Sequence, residues 1–373
     1  MKQNLGLKIL SHVMKWDNDR SREEFAWLKL MSRLKYDGYQ DFLAGARFIE
    51  SLITWLQQFK PNERETAYLF IRNKLVYIGP AEMQRLVENF YPEVVQRSIV
   101  KTVAHELNIP SYKVWANPVA QTRVEGLRRK TLFMGLSDGA RTDILRRANV
   151  GIISNEQIVL TTQLDKAKWE GLLKDLKKEC GEDARFSAVY LIDDFIASGT
   201  TLIRYDDERK HWIGKLQKFW ESIHVAESQL GADALFEKDW HLYVHHYLAS
   251  DYATGVVSES YTKAMREERD APWFPHVDFT YGYVLPENLP VTKSAGDPFL
   301  TLVDEYYDPA LEDQHSEKSG IKSVKYGYKE CALPLILDHN TPNNSLSILW
   351  GETDGENGAP AMRPLFRRRQ RHS

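Results

Sequence analysis

Cysteine is nearly missing: Cys180 and Cys331 are the only two in 373 residues. Two thiols cannot form the dense disulfide framework of small secreted domains, and these two do not stand at metal-ligand spacing, so a reducing, cytoplasmic setting is expected. Long apolar runs are missing too. No stretch approaches the roughly 18 apolar residues that a membrane span needs, and the start Met1-Lys-Gln-Asn-Leu-Gly has no signal-peptide core. Neither secretion nor a membrane partner is expected. Charge of one sign is lacking as well. With 49 Lys and Arg against 52 Asp and Glu the net charge is -3, so any contact with nucleic acid must be local. Internal repeats and long low-complexity tracts do not occur. His245 and His246 are adjacent, without a second ligand pair at zinc spacing, and neighbours on a strand point to opposite faces. A structural role is expected for both. What is present is an ordinary globular composition, 43% hydrophobic and 27% charged, long enough for two or three structural units.

The periodicity divides the chain in three. Residues 1–128 read as a helical N-terminal domain. Ser21-Arg-Glu-Glu24 has the capping-box pattern ahead of an apolar run, and Phe42, Leu43, Ala46, Ile49, Leu52, Ile53 and Leu56 recur at helical steps from Tyr39 to Phe59. Pro61 ends that helix, Pro80 opens another, Pro92 closes it, and Val94 to Leu107 is a further amphipathic segment. Such a domain can also be a winged-helix DNA reader, with Arg97, Lys101, Arg123, Arg128, Arg129 and Lys130 as its positive charge; the alternative is a set of ordinary solvated helix faces.

Residues 129–290 change to alternating strands and helices. Thr131 to Leu136, Ile152 to Leu160, Ser187 to Asp193 and Trp240 to Leu248 read as strands, and Lys166 to Cys180 and Trp212 to Trp220 as helices, which predicts an α/β fold on a parallel sheet. Residues 291–373 form a C-terminal extension. Residues 308–323 read as a mobile loop, and the end from Arg363 concentrates five Arg in a basic tail.

The most informative segment is Val189-Tyr-Leu-Ile-Asp-Asp-Phe-Ile-Ala-Ser-Gly-Thr-Thr201. An apolar strand delivers Asp193 and Asp194 to its C-terminal end, where open α/β sheets place their ligand crevice, and a carboxylate pair there can accept hydrogen bonds from vicinal ribose hydroxyls. Ala197, Ser198, Gly199, Thr200 and Thr201 follow without bulky side chains, so backbone N–H groups and hydroxyls can converge on one anion. Together they suit a ribose 5-phosphate. The bland alternative is an acidic turn that ends a strand. One strand-helix unit earlier, Ser137, Asp138, Gly139 and Arg141 form a second anion-binding candidate at a helix start, or else a simple capped turn. In the extension, Leu337-Asp-His-Asn-Thr-Pro-Asn-Asn-Ser345 offers His339, Asn340, Asn343 and Asn344 as base or ribose contacts, or as Asn side chains that satisfy their own backbone.

The segment 189–201 resembles the signature of type I phosphoribosyltransferases. The resemblance implies a phosphoribosyltransferase-like core in which Asp193 and Asp194 hold the ribose hydroxyls of phosphoribosyl pyrophosphate. By the same resemblance, residues 197–201 wrap the 5-phosphate and residues 137–141 face the pyrophosphate. Magnesium then arrives on the substrate phosphates, with no direct protein ligand. The helical front, the signature and the tail together look like the phosphoribosyltransferase-related effectors of bacterial anti-phage conflict systems. Some of these accompany retrons, where a reverse transcriptase–nucleic acid complex restrains a toxic effector. No closing loop and no catalytic base can be named. Two alternatives stay open: a catalytically silent nucleotide-binding module that switches a partner, and a DNA-binding regulator.

Overall fold

A computed structural model describes residues 3–40, 42, 45–267, 273–292, 296–312 and 323–368. Two compact units divide the chain, Met1–Glu82 with Glu287–Ser373, and Met83–Pro286. The three expected segments are thus regrouped. The end of the helical front goes with the sheet, and the C-terminal extension goes with the beginning of the chain.

The terminal unit begins with helices α1 (Gln3–Met14), α2 (Asn18–Leu34), α3 (Phe48–Gln57) and α4 (Arg64–Asn73) and the short strand β1 (Val76–Ile78). Asp17 caps α2 by accepting the Arg20 N–H at 2.9 Å, so this helix starts ahead of the expected box at Ser21. Glu24 lies inside the helix instead, buried, where it accepts from Tyr68 Oη and Arg72 Nε. The helix expected from Tyr39 starts only at Phe48, whose N–H is taken by the Asp37 carboxylate at 3.2 Å.

The boundary between the units falls within α5 (Pro80–Phe90), which opens at Pro80 as its fixed φ favours. Pro92 does not end the helical path. It falls in one wide π turn, Tyr91–Val95, and the chain runs on into α6 (Gln96–Glu106). Asn117 then caps α7 (Pro118–Arg129). Alternation follows: β2 (Thr131–Gly135), α8 (Thr142–Ala148), β3 (Ile158–Val159), α9 (Lys166–Cys180), β4 (Phe186–Ile196), the hairpin β5 (Arg204–Asp206) and β6 (His211–Ile213), α10 (Lys215–Leu230), β7 (Phe236–Ser250), α11 (Asp251–Glu267) and β8 (His276–Leu285).

Five strands form a parallel sheet in the order β3-β2-β4-β7-β8, the α/β architecture that the alternation predicts. Two boundaries differ. Residues 152–157 form a turn rather than strand, because Gln157 sends its amide to Arg128 O and Thr131 O at 2.8 and 2.7 Å. Trp212 lies in β6, and the helix expected there begins after Gly214. That glycine has φ 138°, and a Cβ on it would fall 2.3 Å from Leu202 O.

The pairing Ile192↔His245 and Asp193↔His246 sets which side chains share a face. On one face Phe90 of α5 lies over Phe133, Tyr190 and His245. On the other, Leu132, Val189, Leu191, Leu242 and Val244 join Trp169, Leu172, Leu216 and Phe219 in one cluster. Each of the five strand residues is fully buried, worth about 1.5–3 kcal/mol apiece, which explains a run of apolar residues without alternation.

The terminal unit closes with α12 (Phe299–Glu305) and β9 (Leu335–Leu337), which pairs in parallel with β1. Phe70 stacks on Phe299 at 3.7 Å, and Trp55 Nε1 donates to Ile348 O at 2.8 Å. Of the loop expected over 308–323, residues 313–322 lie outside the described residues, as do Leu43 of the expected helix and Arg369 and Arg371 of the basic tail. Among the described residues no helix is long and apolar enough to cross a membrane.

Candidate functional site

The strand β4 runs on through Asp193 and Asp194 to Ile196, so the acid pair is strand rather than turn. Beyond it the chain bends through 197–201. Ser250 of β7 fixes the start of this bend, donating from Oγ to Ala197 O at 2.6 Å while accepting the Ala253 N–H at 3.0 Å. At the far end Lys215 N–H donates to Thr201 O at 3.1 Å. Gly199 takes φ +76°, and a Cβ there would come within 3.0 Å of Val257, so glycine is required on both counts. Between these anchors the N–H groups of Ser198, Gly199, Thr200 and Thr201 reach no protein acceptor among the described residues. The hydroxyls of Ser198 and Thr200 lie 3.0 Å apart. Ser198 is buried, and buried N–H groups in proteins nearly always have an acceptor. Four consecutive donors in a small-residue bend form a nest for an anion.

The two carboxylates have different surroundings. Asp193 is buried, and one of its oxygens accepts from Ser137 Oγ and from the Asp194 N–H at 3.1 Å. The other accepts from Lys215 Nζ at 2.6 Å. Asp194 is half-buried and accepts the Phe195 N–H at 2.8 Å. It lies against the 137–141 loop, since a Cβ on Gly139 would fall 2.5 Å from its carboxylate. Ser137 caps this loop by accepting the Gly139 N–H at 3.1 Å, and Arg141, just before α8, sits in the left-handed region at φ 50°. Asp193, Asp194 and both loops therefore converge at the C-terminal end of β4. Lys215 joins them without having been singled out from the sequence; a Gly-Lys pair soon after the signature was the available signal. No group of three or more His, Cys, Asp or Glu placed to hold a metal occurs among the described residues.

Burial governs the neighbouring titratable groups. His246, the register partner of Asp193, is pushed down to about 4 chiefly by burial, with Asp193 opposing, and its Nδ1 has no hydrogen-bond partner among the described residues. His245, on the opposite face, is likewise held well below the usual imidazole range by burial, and its Nδ1 and Thr280 Oγ1 lie 3.0 Å apart. Both are neutral core groups at pH 7. Tyr247 donates to Ala140 O at 3.2 Å, and burial, then the two carboxylates, raises its hydroxyl far above the usual range.

The 339–344 turn lies in the terminal unit. His339 Nδ1 is 3.1 Å from Asp338 Oδ1, and Asn340 exchanges backbone bonds with Leu337. Asn343 O accepts the Tyr328 N–H at 2.7 Å, and Asn344 sends its amide to Tyr328 O and Cys331 Sγ. Of the basic residues of the helical front, Lys101 is exposed and the other five have nearby partners. Arg97 pairs with Glu93, Arg123 with Glu106, Arg129 with Glu156 and Glu179, and Lys130 with Glu237, while Arg128 hydrogen-bonds Tyr91.

In comparison with known proteins, the model of the PRTase-CE family matches residues 52–368, most of the chain and parts of both units. No curated protein and no solved structure matches.

Proposed function

We propose that this chain, which belongs to the phosphoribosyltransferase-like PRTase-CE family, binds phosphoribosyl pyrophosphate or a nucleotide at the C-terminal end of β4. The row of acceptor-free N–H groups at Ser198, Gly199, Thr200 and Thr201 carries this reading, because an anion is what such a row lacks. Thr201 ends the 5-phosphate cradle, Asp194 takes ribose hydroxyls, and residues 137–141 with Arg141 face the pyrophosphate. In a transfer, the bond from the anomeric carbon to pyrophosphate oxygen breaks with its electron pair on the pyrophosphate, and the acceptor bonds to that carbon. The loops hold the two anions apart and in line.

Magnesium bound to the ligand phosphates supplies charge compensation. Asp194, half-buried at the same strand end, would hold it through water. A role as a cytoplasmic effector in anti-phage defence, with a reverse transcriptase–nucleic acid complex as partner, is the setting we propose from the sequence resemblance. A silent nucleotide-binding switch shares the same pocket, and the product analysis below separates the two.

Calorimetric titration of magnesium and phosphoribosyl pyrophosphate into the protein and its Asp194→Asn variant tests the reading, with products followed by mass spectrometry. Saturable binding weakened about tenfold or more in the variant is expected. Released pyrophosphate makes the protein an enzyme, and its absence makes it a sensor. If wild-type protein binds neither this ligand nor ribose 5-phosphate, the phosphoribosyl reading falls.

A further inference from the structure

We infer that Lys215 is a direct phosphate contact of this site and that Asp193 acts by positioning it rather than by receiving ribose hydroxyls. The inference rests on the phosphoribosyl reading of the pocket. Lys215 is anchored at both ends: its backbone N–H holds Thr201 O at 3.1 Å, the last residue of the anion nest, and its ammonium holds Asp193 Oδ2 at 2.6 Å. The side chain therefore lies along the edge of the site, between the bend 197–201 and the end of β4. An ammonium has three N–H donors, and Asp193 takes one. The side chain keeps 29% of its surface exposed, against 7% for Asp193, so a ligand can reach the lysine more readily than the carboxylate. Ser137 and the Asp194 N–H hold the other oxygen of Asp193, which fixes the carboxylate from the side opposite to Lys215.

A carboxylate with three donors already in place makes a poor receiver for two ribose hydroxyls. A lysine held by one charged hydrogen bond beside a row of open N–H groups makes a good fourth wall for a phosphate.

A double-mutant cycle on ribose 5-phosphate affinity tests this, using calorimetry on the full chain with Asp193→Asn, Asp194→Asn, Lys215→Met and the pairs Asp193→Asn/Lys215→Met and Asp194→Asn/Lys215→Met. Lys215→Met is expected to weaken binding about tenfold or more, and Lys215→Arg to recover most of it. Adding Asp193→Asn to Lys215→Met is expected to cost little more, whereas adding Asp194→Asn multiplies the two losses. Thermal midpoints of each variant identify any that fail to fold, and for those the milder Lys215→Gln with Asp193→Glu replaces the pair. Unchanged affinity in Lys215→Met, or full multiplicativity between Asp193 and Lys215, overturns the inference while wild-type binding upholds the pocket. Absence of binding by wild-type protein overturns the pocket and the inference together.

Discussion

In the unit Met83–Pro286 neighbouring strands are joined by nearby chain, β2 to β3, β4 to β7 and β7 to β8, with a helix in each crossover. In the unit of Met1–Glu82 and Glu287–Ser373, the central contacts join the two ends of the sequence: Trp55 reaches Ile348, 293 residues away, and β1 lies beside β9. The first arrangement places chemistry where strand ends and loops meet. The second buries aromatic side chains, with Phe42 and Phe48 both stacked on Phe366. Periodic patterns reveal the first kind of unit, while the second exists only once distant segments have met, and its loop-closure cost is met by dense apolar contact.

Trp55→Ala attacks the second arrangement at its centre and has the largest expected effect. The side chain is fully buried, so the loss is about 3–5 kcal/mol, measured by urea unfolding. A change below about 1 kcal/mol would mean that the two ends of the chain do not share a core there.

Acid sensitivity is expected in the sheet unit, which contains both buried histidines. The folded-state value of His246 is about 4, against about 6.5 in an unfolded chain. Between these values the unfolded chain binds the proton and the folded chain does not. Stability from this group is therefore complete above about pH 6.5 and is lost as pH falls through 4, by about 3 kcal/mol in total. His245 adds in the same direction. Unfolding midpoints from pH 7 to 4 should fall steeply, and His246→Gln should flatten the slope; an equal slope in the variant would contradict the burial argument.

The smallest effect is expected at the bend. Gly199→Ala must hold φ +76° and press on Val256 and Val257, costing about 1–2 kcal/mol of stability. Because the distortion sits in the anion nest, ribose 5-phosphate affinity should fall as well. Lost stability with unchanged affinity would separate the bend from the site.

How far the sequence carries can be seen at particular residues. The apolar run ending in Asp193 and Asp194 is legible because a buried parallel strand needs no polar alternation, and the bend 197–201 because small residues and glycine have few other uses in a row. Lys166–Cys180 matches its helix because its spacing and its Asp165 cap are local signals. The helical spacing that begins at Tyr39 misleads as far as Phe48, since the Asp37 carboxylate that meets the helix start is read only in three dimensions.

Sequence by itself determined the α/β alternation, the strand that delivers the acid pair and the glycine-containing bend, because each depends on residues a few positions apart. Tertiary structure alone decided that Asp193 belongs to Ser137 and Lys215 while Asp194 faces the 137–141 loop, and that Trp55 meets Ile348. Those partners are far apart in the chain, and only the closing of the sheet and the joining of the chain ends bring their side chains within hydrogen-bond reach.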